Sequence, residues 1–266
     1  MGNKLVENLS AMTRSTLQVT PDILVLELTI VNAIIVNTGS NEWVLVDTGL
    51  ENSGKFIIKA AEDRFGKGTR PKAIILTHGH FDHVGSVIEL VRRWDVPVYI
   101  HQLEIPYVTG EKDYPMGDPT VDAGMVAKMS PTFPHTSIDI GSHIAELPAD
   151  GTVPEMSGWK WIHTPGHTEG HISLFREEDR VLIAGDAFAT VKQESITSVI
   201  SQSEFMSGPP KYLTTDWEAA KKSVETLLGL SPQLAIPSHG KPIEGEKLIK
   251  HLERLVEDFD RIALPK

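Results

Sequence analysis

The sequence predicts an α/β fold built on covered sheets. Three observations predict it. Short runs are apolar at every position, stretches of helical periodicity lie between them, and turn residues mark each change. The first third reads as strands: Ile23–Leu28, then Asn32–Asn37, then Trp43–Val46. Thr38-Gly39-Ser40-Asn41 between the last two indicates a hairpin, and Asp47-Thr48-Gly49 closes the third strand. A helix is expected over Ser53–Phe65, a strand over Ala73–Leu76, a helix over Asp82–Trp94 and a strand over Val96–Ile100. The second half repeats the style. Strands are expected at Trp159–His163, His171–Phe175, Arg180–Ala184 and Leu234–Ile236, with helices at Asp216–Leu228 and Gly245–Leu264.

Between the halves, Ile105–His143 is rich in Pro, Met, Gly and Asp, with one helical candidate at Val121–Met129. It reads as an irregular insertion in a single domain spanning 1–266, placed as a lid or substrate loop. The length of 266 residues suits one large α/β domain. No low-complexity tract or short repeat interrupts it.

Composition excludes several function classes. No apolar run is long enough to span a membrane. The start, Met1-Gly2-Asn3-Lys4, leads into a polar stretch that does not read as a signal peptide, so a cytoplasmic location without membrane partners is expected. There are no cysteines, so disulfides are absent and any metal must be held by histidine and carboxylate. The formal net charge of −11 repels phosphate backbones and disfavours a nucleic-acid partner. Lys221-Lys222 reads as the solvated face of a helix.

The decisive segment is Thr77-His78-Gly79-His80-Phe81-Asp82-His83, which follows an apolar strand. In extended chain, positions two apart point the same way, so His78 and His80 can reach one ion together. Asp82 and His83, where the chain turns into a helix, can reach a second point. Four such groups buried without partners would carry a large desolvation penalty. Three further candidates, His167, Asp186 and His239, each lie at a strand end or in a Gly-rich turn. His101, His135, His143, His163 and His251 have no such setting and read as structural. His171 and Ser238 are candidates to support the neighbouring loops.

In these residues and in their order the chain resembles the metallo-β-lactamase superfamily, over nearly its whole length. The matching motifs are Asp47-Thr48-Gly49, then His78 to His83, then His167, Asp186 and His239. The resemblance implies a four-layer αββα sandwich with the site at one edge, between two sheets. It implies that His78, His80 and His167 bind a first metal, that Asp82, His83 and His239 bind a second, and that Asp186 bridges both. Imidazole and carboxylate without thiolate suit two divalent ions per chain, zinc first, with iron or manganese also fitting. Two such ions, about 3.5–4 Å apart, would share a hydroxide able to attack a carbonyl carbon. Asp82 is the catalytic candidate, orienting that hydroxide or taking a proton. Asp47 is expected to receive the outward N–H of a metal-bound imidazole.

Within the superfamily the expected reaction is cleavage of a small-molecule ester, lactone or thioester, in the lactonase or glyoxalase-II-like branch. Glyoxalase-II-like thioesterases carry a Cys-Gly-rich segment after the bridging Asp, where this chain has Ala187-Phe188-Ala189-Thr190. Lactonases place a Tyr three residues after it, where this chain has Ala189; Tyr107, Tyr114 and Tyr212 are the possible substitutes. The β-lactamase, nuclease and flavodiiron branches differ in leader, basic face or ligand set. The alternative is an oxidoreductase resembling persulfide dioxygenases, with one iron on His78, His167 and Asp186. The insertion and the segment Val191–Leu213 are expected to shape an apolar pocket from Met116, Met125, Met129, Phe133, Phe188, Phe205, Met206 and Tyr212. Oligomeric state is not written in a single sequence; relatives often dimerise, and a homodimer is an option by that analogy alone.

Overall fold

The computed structural model describes residues 14–191 and 204–265. The leader region considered above, and residues 192–203 of the expected pocket segment, lie outside the described residues. The chain divides into two compact units, one holding the described residues up to Tyr114 with Pro134–Ser157, the other Pro115–Phe133 with Gly158 onward. The irregular stretch 105–143 is thus shared between them. No helix of the described residues is long and apolar enough to cross a membrane.

The first unit is a seven-stranded sheet whose strands follow one another in chain order. Strands β1 (Arg14–Thr20), β2 (Ile23–Leu28), β3 (Asn32–Gly39) and β4 (Glu42–Val46) form an antiparallel meander. Strands β5 (Ile74–Ile75), β6 (Val98–Ile100) and β7 (Ile144–Glu146) then add in parallel. Parallel neighbours need crossovers. Helix α1 (Gly54–Phe65) joins β4 to β5, and α2 (Phe81–Val84) with α3 (Val87–Trp94) joins β5 to β6. A short α4 (Ile105–Val108) follows β6. Alternate side chains of the strands, Leu26, Ile35 and Leu45 among them, form one apolar cluster with Ile57, Leu90 and Trp94 of the helices. Trp43 is fully buried in it. It stacks on Phe65 at 5.5 Å, meets Trp94 edge-on at 5.4 Å and donates its indole N–H to Thr69.

The helix expected over Asp82–Trp94 is two helices. The Gly85–Ser86 joint between them is fastened to the Asp47–Leu50 loop. Gly85 donates its N–H to Gly49, while the Ser86 hydroxyl donates to the Leu50 carbonyl and accepts from the Gly54 N–H. A Cβ at Gly85 would lie 2.3 Å from the Glu51 nitrogen, so only glycine allows this approach.

The second unit contains α5 (Met125–Met129), a five-stranded sheet in the order β14-β13-β10-β9-β8, and a two-stranded ribbon. Strands β8 (Trp159–His163), β9 (Ile172–Arg176) and β10 (Val181–Gly185) are antiparallel. The ribbon pairs β11 (Ala189–Val191) with β12 (Glu204–Ser207). Strand β13 (Leu234–Pro237) runs parallel to β10, and β14 (Ile243–Glu244) returns beside it. Helices α6 (Trp217–Gly229), α7 (Gly245–Glu257) and α8 (Phe259–Ile262) pack their apolar sides with β10 and β13 around Leu227, Leu252 and Phe259. Phe188 and Met206, expected in a pocket, belong to this core. Met116 and Met125 are exposed, and Tyr212 packs with Val121 and Ala127. Two helices are shorter than the periodicity predicts. Asp122 accepts the Gly124 N–H in a turn that delays α5, and Asp258 separates α7 from α8.

Replacing Gly85 by Ala is expected to lower unfolding free energy by about 1–3 kcal/mol through overpacking at a backbone contact. Denaturant titration reads this directly. Wild-type stability in the variant would mean that the α2–α3 joint is not close-packed.

Candidate metal centre

In the first unit the functional candidates all sit where parallel strands end. Asp47 follows β4, His78–His83 follow β5, and Glu104 follows β6. Carboxyl ends of parallel strands are where α/β sheets place their ligands, because the chain turns there and side chains project past the sheet edge.

Asp47 is fully buried and takes a left-handed backbone conformation, φ 57°. Its Oδ1 accepts the Thr77 N–H at 2.8 Å, and its Oδ2 accepts the Thr77 hydroxyl at 2.8 Å. The same Oδ2 lies 2.8 Å from His83 Nδ1. A carboxylate only accepts, so His83 Nδ1 carries the proton and Nε2 presents its lone pair. The single Thr77 proton goes to Asp47, so toward His78 Nδ1, at 3.1 Å, the Thr77 oxygen accepts. His78 is thereby also an Nδ1–H tautomer. Its Nε2 lies 3.0 Å from His80 Nδ1, so the two ring nitrogens converge on one point. The Asp82 carboxylate is buried 3.9 Å from His83 Nε2.

A second brace holds this loop and has no motif in the sequence. Glu104 is fully buried, and its Oε2 accepts the Gly79 N–H at 3.0 Å and the Tyr114 hydroxyl. The Tyr114 oxygen also accepts from Gly79 at 3.0 Å. Its ring lies 4.3 Å from that of His80 and stacks on Tyr107 at 3.9 Å. Burial, then the neighbouring Glu104 carboxylate, push the Tyr114 phenol well above its ordinary range, so it stays a donor. Burial and pairing are the only signals for Glu104 and Tyr114, and neither is visible along the chain.

The second unit brings His167, Asp186 and His239 together. His167 lies in the β8–β9 turn, while Asp186 and His239 follow the adjacent parallel strands β10 and β13. Asp186 Oδ2 is 3.2 Å from His167 Nε2 and 3.3 Å from His239 Nε2. Thr214 fixes the His167 tautomer. Its hydroxyl donates to the Pro210 carbonyl at 2.8 Å, so its oxygen accepts His167 Nδ1–H at 3.1 Å. His167 Nε2 therefore turns a lone pair toward a carboxylate oxygen, an arrangement that a cation between them reconciles. His171 sets Asp186: its Nε2 accepts the Asp186 N–H at 2.8 Å while its Nδ1 donates to the Thr164 carbonyl at 3.0 Å. The Ser238 N–H donates to Gly185, while its hydroxyl has no partner among the described residues. His101, His143 and His163 make hydrogen bonds of their own, to Leu103, Asp95 and Glu169.

The donor set fits a divalent cation: buried imidazoles, three of them of fixed tautomer, and carboxylates, with no thiolate. Asp47→Asn puts an amide against a hydroxyl and an imidazole N–H that both need an acceptor. Zinc affinity is expected to fall about 10–100-fold, read by competition with a chromophoric chelator. Tyr114→Phe removes one acceptor from Gly79 and is expected to act in the same direction but less. Unchanged affinity in both variants would show that neither brace orients a ligand.

The family model described as the metallo-beta-lactamase superfamily matches residues 26–239. The chain is 50% identical over 222 residues to the probable metallo-hydrolase YflN of Bacillus subtilis (strain 168), covering 84% of each chain. Among solved structures it is similar to TTHA1623 in a di-iron-bound form, with 27% identity, a TM-score of 0.56, and coverage of 88% of this chain and 94% of that one. A B3 metallo-beta-lactamase with an active-site glutamic acid gives a TM-score of 0.64 at 18% identity, covering 98% of this chain and 94% of that one, and shows the fold alone. The mixed α/β arrangement of sheets and helices is the metallo-β-lactamase fold, and the chain belongs to the metallo-beta-lactamase superfamily.

Proposed function

We propose that this protein is a metal-dependent hydrolase that cleaves an ester, lactone or thioester bond of a small molecule. The observation that carries the reading is the Asp186 carboxylate oxygen faced by two imidazole nitrogens at 3.2 and 3.3 Å, one of them held as a lone-pair donor by Thr214. In this reading His78, His80 and His167 would hold one ion, Asp82, His83 and His239 a second, and Asp186 would serve both. When bound, such ions polarise a carbonyl oxygen and make water acidic enough to attack near neutral pH. Zinc suits the donors, and the di-iron form of TTHA1623 supports iron as a second candidate.

The chain's own residues supply position and proton transfer. Asp47, Thr77 and Thr214 keep three imidazoles in one tautomer, so no reorganisation is needed when an ion arrives. Asp82 takes the proton of the attacking water and returns it to the leaving oxygen or sulfur as the acyl bond breaks. No tyrosine follows Asp186 at the lactonase position, where Ala189 is fully buried in β11. Tyr114 is committed to Glu104 and Gly79, so carbonyl polarisation does not draw on it. The single-iron oxidoreductase alternative would leave Asp82, His83 and His239 buried without an ion, and is set aside for that reason.

The first test is proton release from an aliphatic lactone, then from an aliphatic thioester, by zinc-loaded protein beside His78→Ala. Turnover confined to the wild type is expected; no turnover on either substrate would overturn the ester, lactone and thioester reading. Asp186→Ala is expected to lose bound metal and activity together. Asp82→Ala is expected to lose about 10²–10⁴-fold in rate with little change in thermal midpoint. Full metal content and normal turnover in both variants would remove the assignment.

A further inference from the structure

A cavity of about 710 Å³ opens in the second unit, beside β12 and the C-terminal helices α7 and α8. Nothing in the proposed hydrolysis uses it, and its chemistry runs against the rest of the chain. Lys211, Arg254 and Arg261 line it with Asp122 as the one acid among the lining residues, in a protein of net charge −11. Phe205 and Ile262 give it apolar wall. Phe205 is 43% exposed there, a large aromatic left facing water.

Lys211 is the informative residue. It is only 7% exposed, yet among the described residues no carboxylate pairs with its ammonium. With no counter-charge among the described residues, an anion at the cavity would give this ammonium a charge partner. Arg254 also has no ion pair among the described residues, while Arg261 is paired with Asp258. One part of the wall is closely packed. A Cβ at Gly208 would lie 2.5 Å from the Ala263 Cβ, so the chain after β12 rests directly on the C-terminal helical turn. The volume falls within the range of preformed small-ligand sites, about 300–1,000 Å³.

We propose that this cavity binds a small amphipathic anion, a carboxylate or phosphate carried on an apolar body, with Lys211 as its charge partner and Phe205 and Ile262 against the body. None of the lining residues is a candidate metal ligand, so this ligand would bind without occupying the metal centre proposed above.

Calorimetric titration of the full chain with octanoate, octyl phosphate, inorganic phosphate and neutral 1-octanol tests this. The two amphipathic anions are expected to bind at one site, with 1-octanol at least about tenfold weaker for want of the charge-assisted bond. Lys211→Met is expected to bring octanoate down to the level of 1-octanol, Lys211→Arg to retain it, and the exposed Arg254→Gln to weaken it a few-fold. His78→Ala is expected to bind octanoate as the wild type does, which separates this cavity from the metal centre. Octanoate is also expected to protect Lys211 of the unmodified protein from acetylation, read by peptide mass mapping, so the test survives a Lys211→Met variant that fails to fold. Equal binding of octanoate and 1-octanol, loss of binding in His78→Ala, or no protection of Lys211 would overturn the site. Inorganic phosphate binding as tightly as octyl phosphate would overturn the apolar half of the proposal.

Discussion

The carboxylate of Asp47 collects three hydrogen bonds at the ends of two strands and the start of a helix, and the first unit is organised around that collection. It takes the N–H and hydroxyl of Thr77 just past β5 and the ring N–H of His83 in α2. Backbone bonds from Thr48 and Gly85 close the same gap, so the loop after β4 and the loop after β5 are tied together. The left-handed backbone at Asp47 costs on the order of 1–2 kcal/mol, offset by charge-assisted bonds in a dry setting. Fully buried and acceptor-only, Asp47 determines where the Thr77 proton points, and through Thr77 the state of His78.

The second unit solves the same problem with different parts. There no single carboxylate orders the imidazoles. Thr214 holds His167 by spending its proton on Pro210, and His171 holds Asp186 by its backbone. His171 is itself set by Thr164, whose hydroxyl donates to Ser173, which donates to Ala184 in β10. The shared device is a hydroxyl whose hydrogen is committed elsewhere, leaving only its oxygen for an imidazole N–H. A hydroxyl free to rotate would serve either tautomer and select neither.

The sequence made the ligand candidates legible because their spacing is local. His78 and His80 alternate along extended chain, and strand ends such as those of β2 and β8 coincide with the apolar runs. What it hid depends on partners distant in the chain. The α2–α3 break is invisible to periodicity, since Val84, Val87 and Leu90 keep helical spacing across it. It arises from contacts with residues 49–54. Strands β1, β7, β11, β12 and β14 escaped because they are short, polar on one face or isolated. Glu104, Tyr114 and Thr214 carry no motif, and their roles exist only once the chain folds back on Gly79 and His167.

The residues after Asp186 are committed to the support of the neighbouring loop. At the position where lactonases offer a tyrosine hydroxyl, this chain has a strand that serves the neighbouring loop. Thr190 in β11 donates its N–H to the His239 carbonyl at 3.0 Å and its hydroxyl to Lys241 at 2.7 Å. Ala189 beside it pairs with Ser207 and is fully buried, so a larger side chain there would have to displace the ribbon. The segment after Asp186 therefore holds the turn that carries His239. A residue bonded into the backbone of such a turn is not free to adapt to a small molecule as well, so the proposed substrate selection would fall to other elements.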